Sequence, residues 1–91
     1  MVILDNCIYK NDSIPWRIIE KEAILVDVQR GNVMQLNEIG AFIWSQIDGR
    51  KKVSEIADCV FEEFEVSKDK AGADTLEFLN ELLKKRIIKV G

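Results

Sequence analysis

The hydrophobic pattern of the chain changes its period at Asn37. Before it, short apolar clusters are separated by turn-forming residues, and residues 24–29 alternate with a period of two, with Ile24, Val26 and Val28 as one set. This period is typical of a half-buried strand. The pattern predicts three short strands, at residues 16–19, 23–29 and 33–36, and the turn at residues 30–32 should join the last two in a hairpin.

After Asn37 the apolar residues recur at helical spacing. Asn37, Ser54 and Ser67 each precede such a segment, and each side chain can accept a hydrogen bond from a free amide of the first turn. Three helices are therefore expected, the first ending at Asp48 and Gly49 and the third at about Lys85. Their predicted buried faces are Ile39, Phe42, Ile43 and Ile47 in the first helix and Ile56, Ala57, Val60, Phe61 and Phe64 in the second, while Trp44 points partly away from its stripe.

The order of these elements defines the fold class. Three antiparallel strands followed by three helices indicate an α+β domain over residues 16–91, resembling a winged helix with its sheet placed first. Residues 1–15, which end at the only proline, are interpreted as an N-terminal arm or a packed extension. The tail at residues 87–90 should be short and extended.

Composition limits the classes of function. A chain of 91 residues with 47% hydrophobic content fits one compact core. Thirteen basic against sixteen acidic residues give a net charge of −3, which lacks the positive field of a nucleic-acid binder and disfavours anionic membranes. With no apolar run of about 20 residues and no signal peptide, a cytoplasmic location is expected.

Candidate catalytic chemistry is nearly absent. The chain has no histidine, no phosphate-binding glycine motif and no nucleophile motif, and Cys7 and Cys59 are too far apart in sequence for a CxxC site. The acidic run at residues 62–65 is interpreted as a solvated helix face. We expect no enzyme, no metal site and no cofactor.

A DNA-binding regulator is the alternative that the fold class suggests, because three helices with a small sheet often place a helix in the major groove. The third helix, however, carries Asp69, Asp74, Glu77 and Glu81, whose carboxylates would repel phosphates. The basic turn at residues 50–52 is interpreted as a solvated loop. Nucleic acid is therefore not an expected partner.

The third helix has more apolar surface than one buried face requires. Leu76, Leu79 and Leu83 form one stripe, and Thr75, Phe78 and Leu82 form a second stripe beside it. The first stripe suffices to cover a three-stranded sheet. The second stripe, if exposed, would form a groove for an apolar anchor of a partner, and the alternative is that both stripes are core.

The strand at residues 33–36 completes such a groove if it lies at the sheet edge. Its unpaired N–H and C=O groups could accept a partner peptide as a further strand. The same edge could instead pair two copies of the chain, so a dimerising interaction subunit remains an alternative function.

The chain also resembles a known family. The segments VMQLNEIGAFIWSQIDG, KVSEIADCV and FLNEL, followed by a final II, are similar to the PqqD-like family, whose members are also called RiPP recognition elements. The resemblance covers residues 16–90. It implies a non-catalytic module that binds the leader segment of a ribosomally made precursor peptide and presents it to a modifying enzyme, such as a radical SAM protein or a leader peptidase or cyclase.

The resemblance further implies the binding residues. In such families the leader adds to the third strand and packs on the third helix, and Asn37, Trp44, Asp48 and Gly49 resemble fold determinants. The implied peptide-binding residues are Val33, Met34, Gln35 and Leu36 on the strand and Thr75, Phe78, Leu82, Lys85 and Arg86 on the helix.

Overall fold

Four strands precede three helices in the chain, and a fifth strand follows them. The computed structural model describes all 91 residues. The elements are β1 (Ile8–Lys10), β2 (Trp16–Ile19), β3 (Glu22–Asp27), β4 (Asn32–Leu36), α1 (Glu38–Gln46), α2 (Val53–Glu63), α3 (Lys68–Lys84) and β5 (Ile88–Val90). The predicted α+β fold, with its main sheet before three helices, is confirmed. No helix is long and apolar enough to cross a membrane.

The main sheet is antiparallel and has the order β2-β3-β4. The predicted hairpin joins β3 to β4, with Asp27 opposite Asn32 at its end. Gly31 has a φ of +69°, which glycine adopts without steric strain, and Asp27 Oδ1 accepts a hydrogen bond from the Arg30 N–H at 3.2 Å. Because β3 is central, β2 and β4 are the two edges of the sheet.

The alternation predicted for β3 is present, but the core-facing set differs from the Ile and Val set. Ala23 and Leu25 are fully buried, whereas Ile24 and Val26 are only half-buried. Leu25 lies opposite Met34 of β4, which also packs against the core. The inward set therefore includes Ala23, which lies opposite the buried Leu36, and side-chain size alone does not show which alternate set of a strand faces the core.

Side-chain caps begin α1 and α3 where the sequence predicts them. Asn37 Oδ1 accepts a hydrogen bond from the Gly40 N–H at 2.9 Å, and Ser67 Oγ accepts one from the Lys70 N–H at 3.2 Å. Each bond satisfies an amide that the helix itself leaves free.

The prediction that Ser54 caps α2 is wrong, because the helix begins at Val53. The Val53 N–H donates to the carbonyl of Asn6 at 2.9 Å, and the Ser54 N–H donates to the carbonyl of Leu4 at 3.0 Å. The backbone of the N-terminal segment thus takes the place of a capping side chain. Glu55 completes the start of the helix, since its Oε1 accepts from the Lys52 N–H at 2.9 Å.

Residues 1–15 pack against the rest of the chain. Val2, Ile8 and Ile14 are buried in the same core as the helices, and β1 pairs with β5 in a second, two-stranded sheet with Ile8 opposite Val90. The extended tail predicted at residues 87–90 is therefore held as β5 by the N-terminal segment.

This packing explains why Trp44 is fully buried and does not point partly away from the core. Its ring meets the ring of Trp16 edge to face, with centroids 5.9 Å apart, and Lys10 Nζ lies 4.4 Å from the Trp16 centroid. Burial lowers the pKa of the Lys10 ammonium, and the negative charge of Asp48 opposes that shift.

The buried face of α2 is narrower than predicted. Val53, Ile56, Ala57 and Val60 are buried, whereas Phe61 is 42% exposed. The prediction that Phe61 belongs to the core is wrong, because Phe61 lies about 100° around the helix from Val60, at the margin of the buried face.

The turn after α1 depends on Asp48 and Gly49. Asp48 Oδ1 accepts hydrogen bonds from the N–H groups of Arg50 and Lys51, each at 2.9 Å, and these bonds lower the pKa of the carboxyl to about 2. Gly49 has a φ of +79°, and a Cβ there would lie 3.0 Å from the ring of Tyr9. Both residues therefore fix the path of the chain between α1 and α2.

Candidate peptide-binding site

β4 is an edge strand, and this position is the condition on which the proposed peptide site depends. It pairs with β3 on one side, and no strand lies on its other side. Val33 is 70% exposed, and Gln35 is also exposed, whereas Met34 is half-buried and Leu36 is buried. The free side of β4 therefore offers backbone donors and acceptors together with an accessible valine.

A cavity of about 520 Å³ lies beside β4, and we call it the edge groove. One wall is formed by Val33, Met34 and Gln35, and the other includes Lys85 and Ile87, which follow the end of α3. Leu25 and Asp27 of β3 also line it, so the groove continues from β4 onto the face of the sheet.

Arg30 extends the edge groove at the hairpin end. It lines the cavity, its Nη1 donates to the carbonyl of Lys85 at 3.5 Å, and its Nε lies 3.8 Å from Asp27 Oδ2. Sequence reasoning did not identify Arg30 or Ile87 as site residues. Arg30 lies in the hairpin turn, and Ile87 lies in the segment that follows α3. These positions identify the two residues as site residues only when it is known that the two turns meet.

The expectation that Thr75, Phe78 and Leu82 form the exposed stripe of α3 is wrong for two of the three residues. Thr75 and Leu82 are fully buried with Ala71 and Leu79. These four residues are spaced by four, four and three positions, which places them on one face of the helix. That face packs into the core, so the side chains of Thr75 and Leu82 are not accessible to a partner peptide.

Phe78 is the residue of that stripe that reaches the surface beside the sheet. The ring is half-buried at the start of α1, since a Cβ built on Gly40 would lie 3.3 Å from both Phe78 Cε1 and Leu36 Cβ. Phe78 also lines a shallow cavity of about 330 Å³ on the surface of α3. The ring therefore marks the Leu36 end of β4, opposite the hairpin end.

The two basic residues implied by the family resemblance lie in different surroundings. Lys85 lines the edge groove. Arg86 has a φ of +59° and lies in a separate cavity that Met1 and Asn11 also line, and its carbonyl accepts from Asn11 Nδ2 at 2.9 Å. The structure thus brings residues 33–35, Phe78 and Lys85 to one side of the molecule and places Arg86 beside the N-terminal segment.

Taken together, the fold and the groove define a small α+β domain with an open sheet edge beside its last helix. The family model described as Coenzyme PQQ synthesis protein D (PqqD) matches residues 22–88. The chain belongs to this PqqD family. No curated protein sequence matches the chain.

Solved structures of similar fold include two leader-peptide complexes. The chain is 27% identical to TbiB1 in its complex with the TbiA(β) leader peptide, with a TM-score of 0.81 over 89% of this chain and 94% of TbiB1. It is 19% identical to lasso peptide synthetase B1 complexed with the leader peptide, with a TM-score of 0.80 over 91% and 98% of the two chains.

A third similar structure belongs to a recognition element. It is the PqqD truncation of Methylobacterium extorquens PqqCD, a stand-alone RiPP recognition element, with 20% identity and a TM-score of 0.79 over 98% of this chain and 95% of that one. At this identity the match, like that to lasso peptide synthetase B1, shows the fold alone.

Proposed function

We propose that this domain binds the leader segment of a ribosomally made precursor peptide as an added strand on β4 and presents the rest of the precursor to a modifying enzyme. The observation that carries the proposal is the unpaired edge of β4 beside the edge groove. An extended guest would gain backbone hydrogen bonds from β4 and side-chain contacts from α3. Its likeness to TbiB1, whose structure contains a leader peptide, supports the same role.

The proposed contacts are narrower than the family resemblance implies. Val33, Met34 and Gln35 offer the strand edge, Phe78 offers an apolar contact at one end, and Lys85 offers a cation at the other. Thr75 and Leu82 act from within the core, by setting the position of α3. Leu36 contributes its backbone and not its buried side chain.

The proposed role does not include catalysis. Its partner enzyme is of the radical SAM class or of the leader peptidase and cyclase class, and a ribosomal precursor would meet both in the cytoplasm. A flexible leader gives up about 2–5 kcal/mol when it becomes ordered, so moderate and reversible affinity is expected. Binding would still raise the effective concentration of the precursor at an associated enzyme.

DNA binding, the alternative that a winged-helix resemblance suggested, is disfavoured. The surface of α3 around Phe78 carries Asp74, Glu77 and Glu81. Carboxylates on this helix would repel the phosphates of a duplex. Two copies of the chain could also pair through β4. This pairing would use the same edge as the leader and would therefore compete with leader binding.

A titration of the labelled protein tests the proposal. Leader peptide encoded by a short reading frame beside the gene is added while backbone amide shifts are recorded. Shifts should concentrate in residues 32–36 and 77–85, and β2, the other sheet edge, serves as the internal control. Binding that leaves β4 unshifted, or that shifts β2 instead, would contradict strand addition at β4.

A further inference from the structure

The surface that runs along α3 and into the turn that follows it changes its charge along its length. Asp74, Glu77 and Glu81 line a shallow cavity with Phe78, whereas Lys85, just after α3, lines the edge groove together with Arg30 from the hairpin. Phe78 lies beside Leu36, and Lys85 lines the groove with Asn32. Since Leu36 ends β4 and Asn32 begins it, the strand runs from a basic end to an acidic end.

Some of these charges are already neutralised by neighbours. Asp74 pairs with Lys70 at 3.0 Å, Glu81 pairs with Lys84 at 3.8 Å, and Arg30 pairs with Asp27. The pairs of Asp74 and Glu81 are exposed and contribute little stability, so a charged guest can replace them, whereas Asp27 is half-buried beneath Arg30.

Glu77 and Lys85 take part in none of the ion pairs of the chain. Glu77 therefore leaves a free negative charge beside Phe78, the residue that marks the Leu36 end of β4, and Lys85 leaves a free positive charge in the edge groove. Lysine near the C-terminal end of a helix is favoured by the helix dipole. The adjacent Lys84 is also near that end, but it is exposed and does not line the groove. The helix dipole alone therefore does not explain why Lys85 lines the groove.

We infer that the guest is an extended segment with acidic side chains where it lies beside Asn32 and basic side chains where it lies beside Leu36. This inference rests on the proposed function and adds the charge pattern of the peptide. Four strand intervals separate the two ends of β4, or about 13 Å, so the two charged groups of the guest lie about four residues apart. An apolar guest residue contacts Phe78 at the Leu36 end, next to the basic residues of the guest.

The charge pattern also sets the direction of the guest. The main sheet is antiparallel throughout, and antiparallel pairing is the commoner arrangement. An antiparallel guest enters beside Leu36 and leaves beside Asn32. Its basic residues therefore precede its acidic residues in sequence, and a reversed pattern would place like charges against Glu77 and Lys85.

Selection from a library of random 16-residue peptides displayed on phage tests this inference without knowledge of the natural precursor. We expect enriched peptides in which basic residues precede acidic ones by about four positions. A synthetic copy of the most enriched peptide is then titrated into the protein. We expect Lys85→Glu and Glu77→Lys each to weaken its binding about three- to tenfold, and substitution of its acidic residues by lysine to restore binding to Lys85→Glu.

Matched variants control for net charge. Lys68→Glu, at an exposed lysine that takes part in no ion pair, changes the charge of the chain as Lys85→Glu does, and Glu62→Lys on the exposed side of α2 matches Glu77→Lys. Equal effects of Lys68→Glu and Lys85→Glu, or enriched peptides that shift the β4 amides without any charge order, would overturn the inference but leave the proposed function standing. Failure to enrich any peptide that shifts β4 contradicts both.

Discussion

The ring of Phe78 packs directly against Gly40, the residue whose amide is capped by Asn37. A Cβ at Gly40 would lie 3.3 Å from Phe78 Cε1, so hydrogen is the only side chain that leaves the ring undisturbed. This contact joins α3 to the junction of β4 and α1. The place where the chain changes from strand to helix is therefore also the place where the proposed site has its aromatic residue.

Gly40→Ala tests this contact, with Gly72→Ala as its control. Both glycines lie in helices, but a Cβ at Gly72 meets nothing within 4 Å. Gly72→Ala should raise the free energy of unfolding by about 0.5–1 kcal/mol, because alanine loses less backbone entropy. Gly40→Ala should lack this gain and should shift the ring resonances of Phe78. An equal gain in chemical denaturation would show that the ring yields without cost.

Phe78→Ala should weaken leader binding by about 1–3 kcal/mol, because an aromatic anchor beside a strand edge is removed. Phe61→Ala is the matched control, since Phe61 lies exposed on α2 away from the groove and should leave affinity unchanged. Calorimetric titration of both variants gives the comparison. Equal affinities for the two would place the peptide elsewhere.

Thr75→Val should stabilise the fold and leave peptide affinity unchanged. Thr75 Oγ1 is buried and has no hydrogen-bond partner, and valine has nearly the same shape without the hydroxyl. Removal of an unpaired buried hydroxyl should raise the free energy of unfolding by about 1 kcal/mol. Urea denaturation measures the gain. A loss of stability would indicate a partner for the hydroxyl, and a loss of affinity would return Thr75 to the binding surface.

Asp48→Asn should alter the acid sensitivity of the fold. The backbone N–H groups of Lys51 and Arg50 lower the pKa of Asp48 from 3.8 to about 2 in the folded state. A lowered pKa favours folding above the unfolded value, and that contribution is lost as the pH falls from about 4 to about 2. Urea titrations at several pH values should show the wild type more stable at pH 6 and the difference narrowing below pH 4. A constant difference across this range would contradict the assignment.

The sequence predicted much of the fold because its signals are local. Asn37 and Ser67 cap their helices as expected, and Gly31 turns the hairpin. The errors arose where distant segments meet. Ser54 is not a cap because the backbone of residues 4–6 reaches the start of α2, and Trp44 is buried because β1 and β2 cover it.

The site was predictable in outline only. The edge position of β4 follows from the order of the strands, but the exposed side of α3 depends on how α2 and β5 pack against it. Helical spacing alone made Thr75 and Leu82 equivalent to Phe78, and only the packed core separates them. Arg30 lines the groove because two turns that are 55 residues apart in the chain are in contact.

The most direct test of strand addition uses leader peptides methylated on single backbone nitrogens. In an added strand, alternate peptide amides donate to β4 and the others point away. Methylation should therefore weaken binding with a period of two along the segment, by tenfold or more at one set of positions and little at the set between. Affinities that decline evenly, or that do not respond to methylation, would contradict the account.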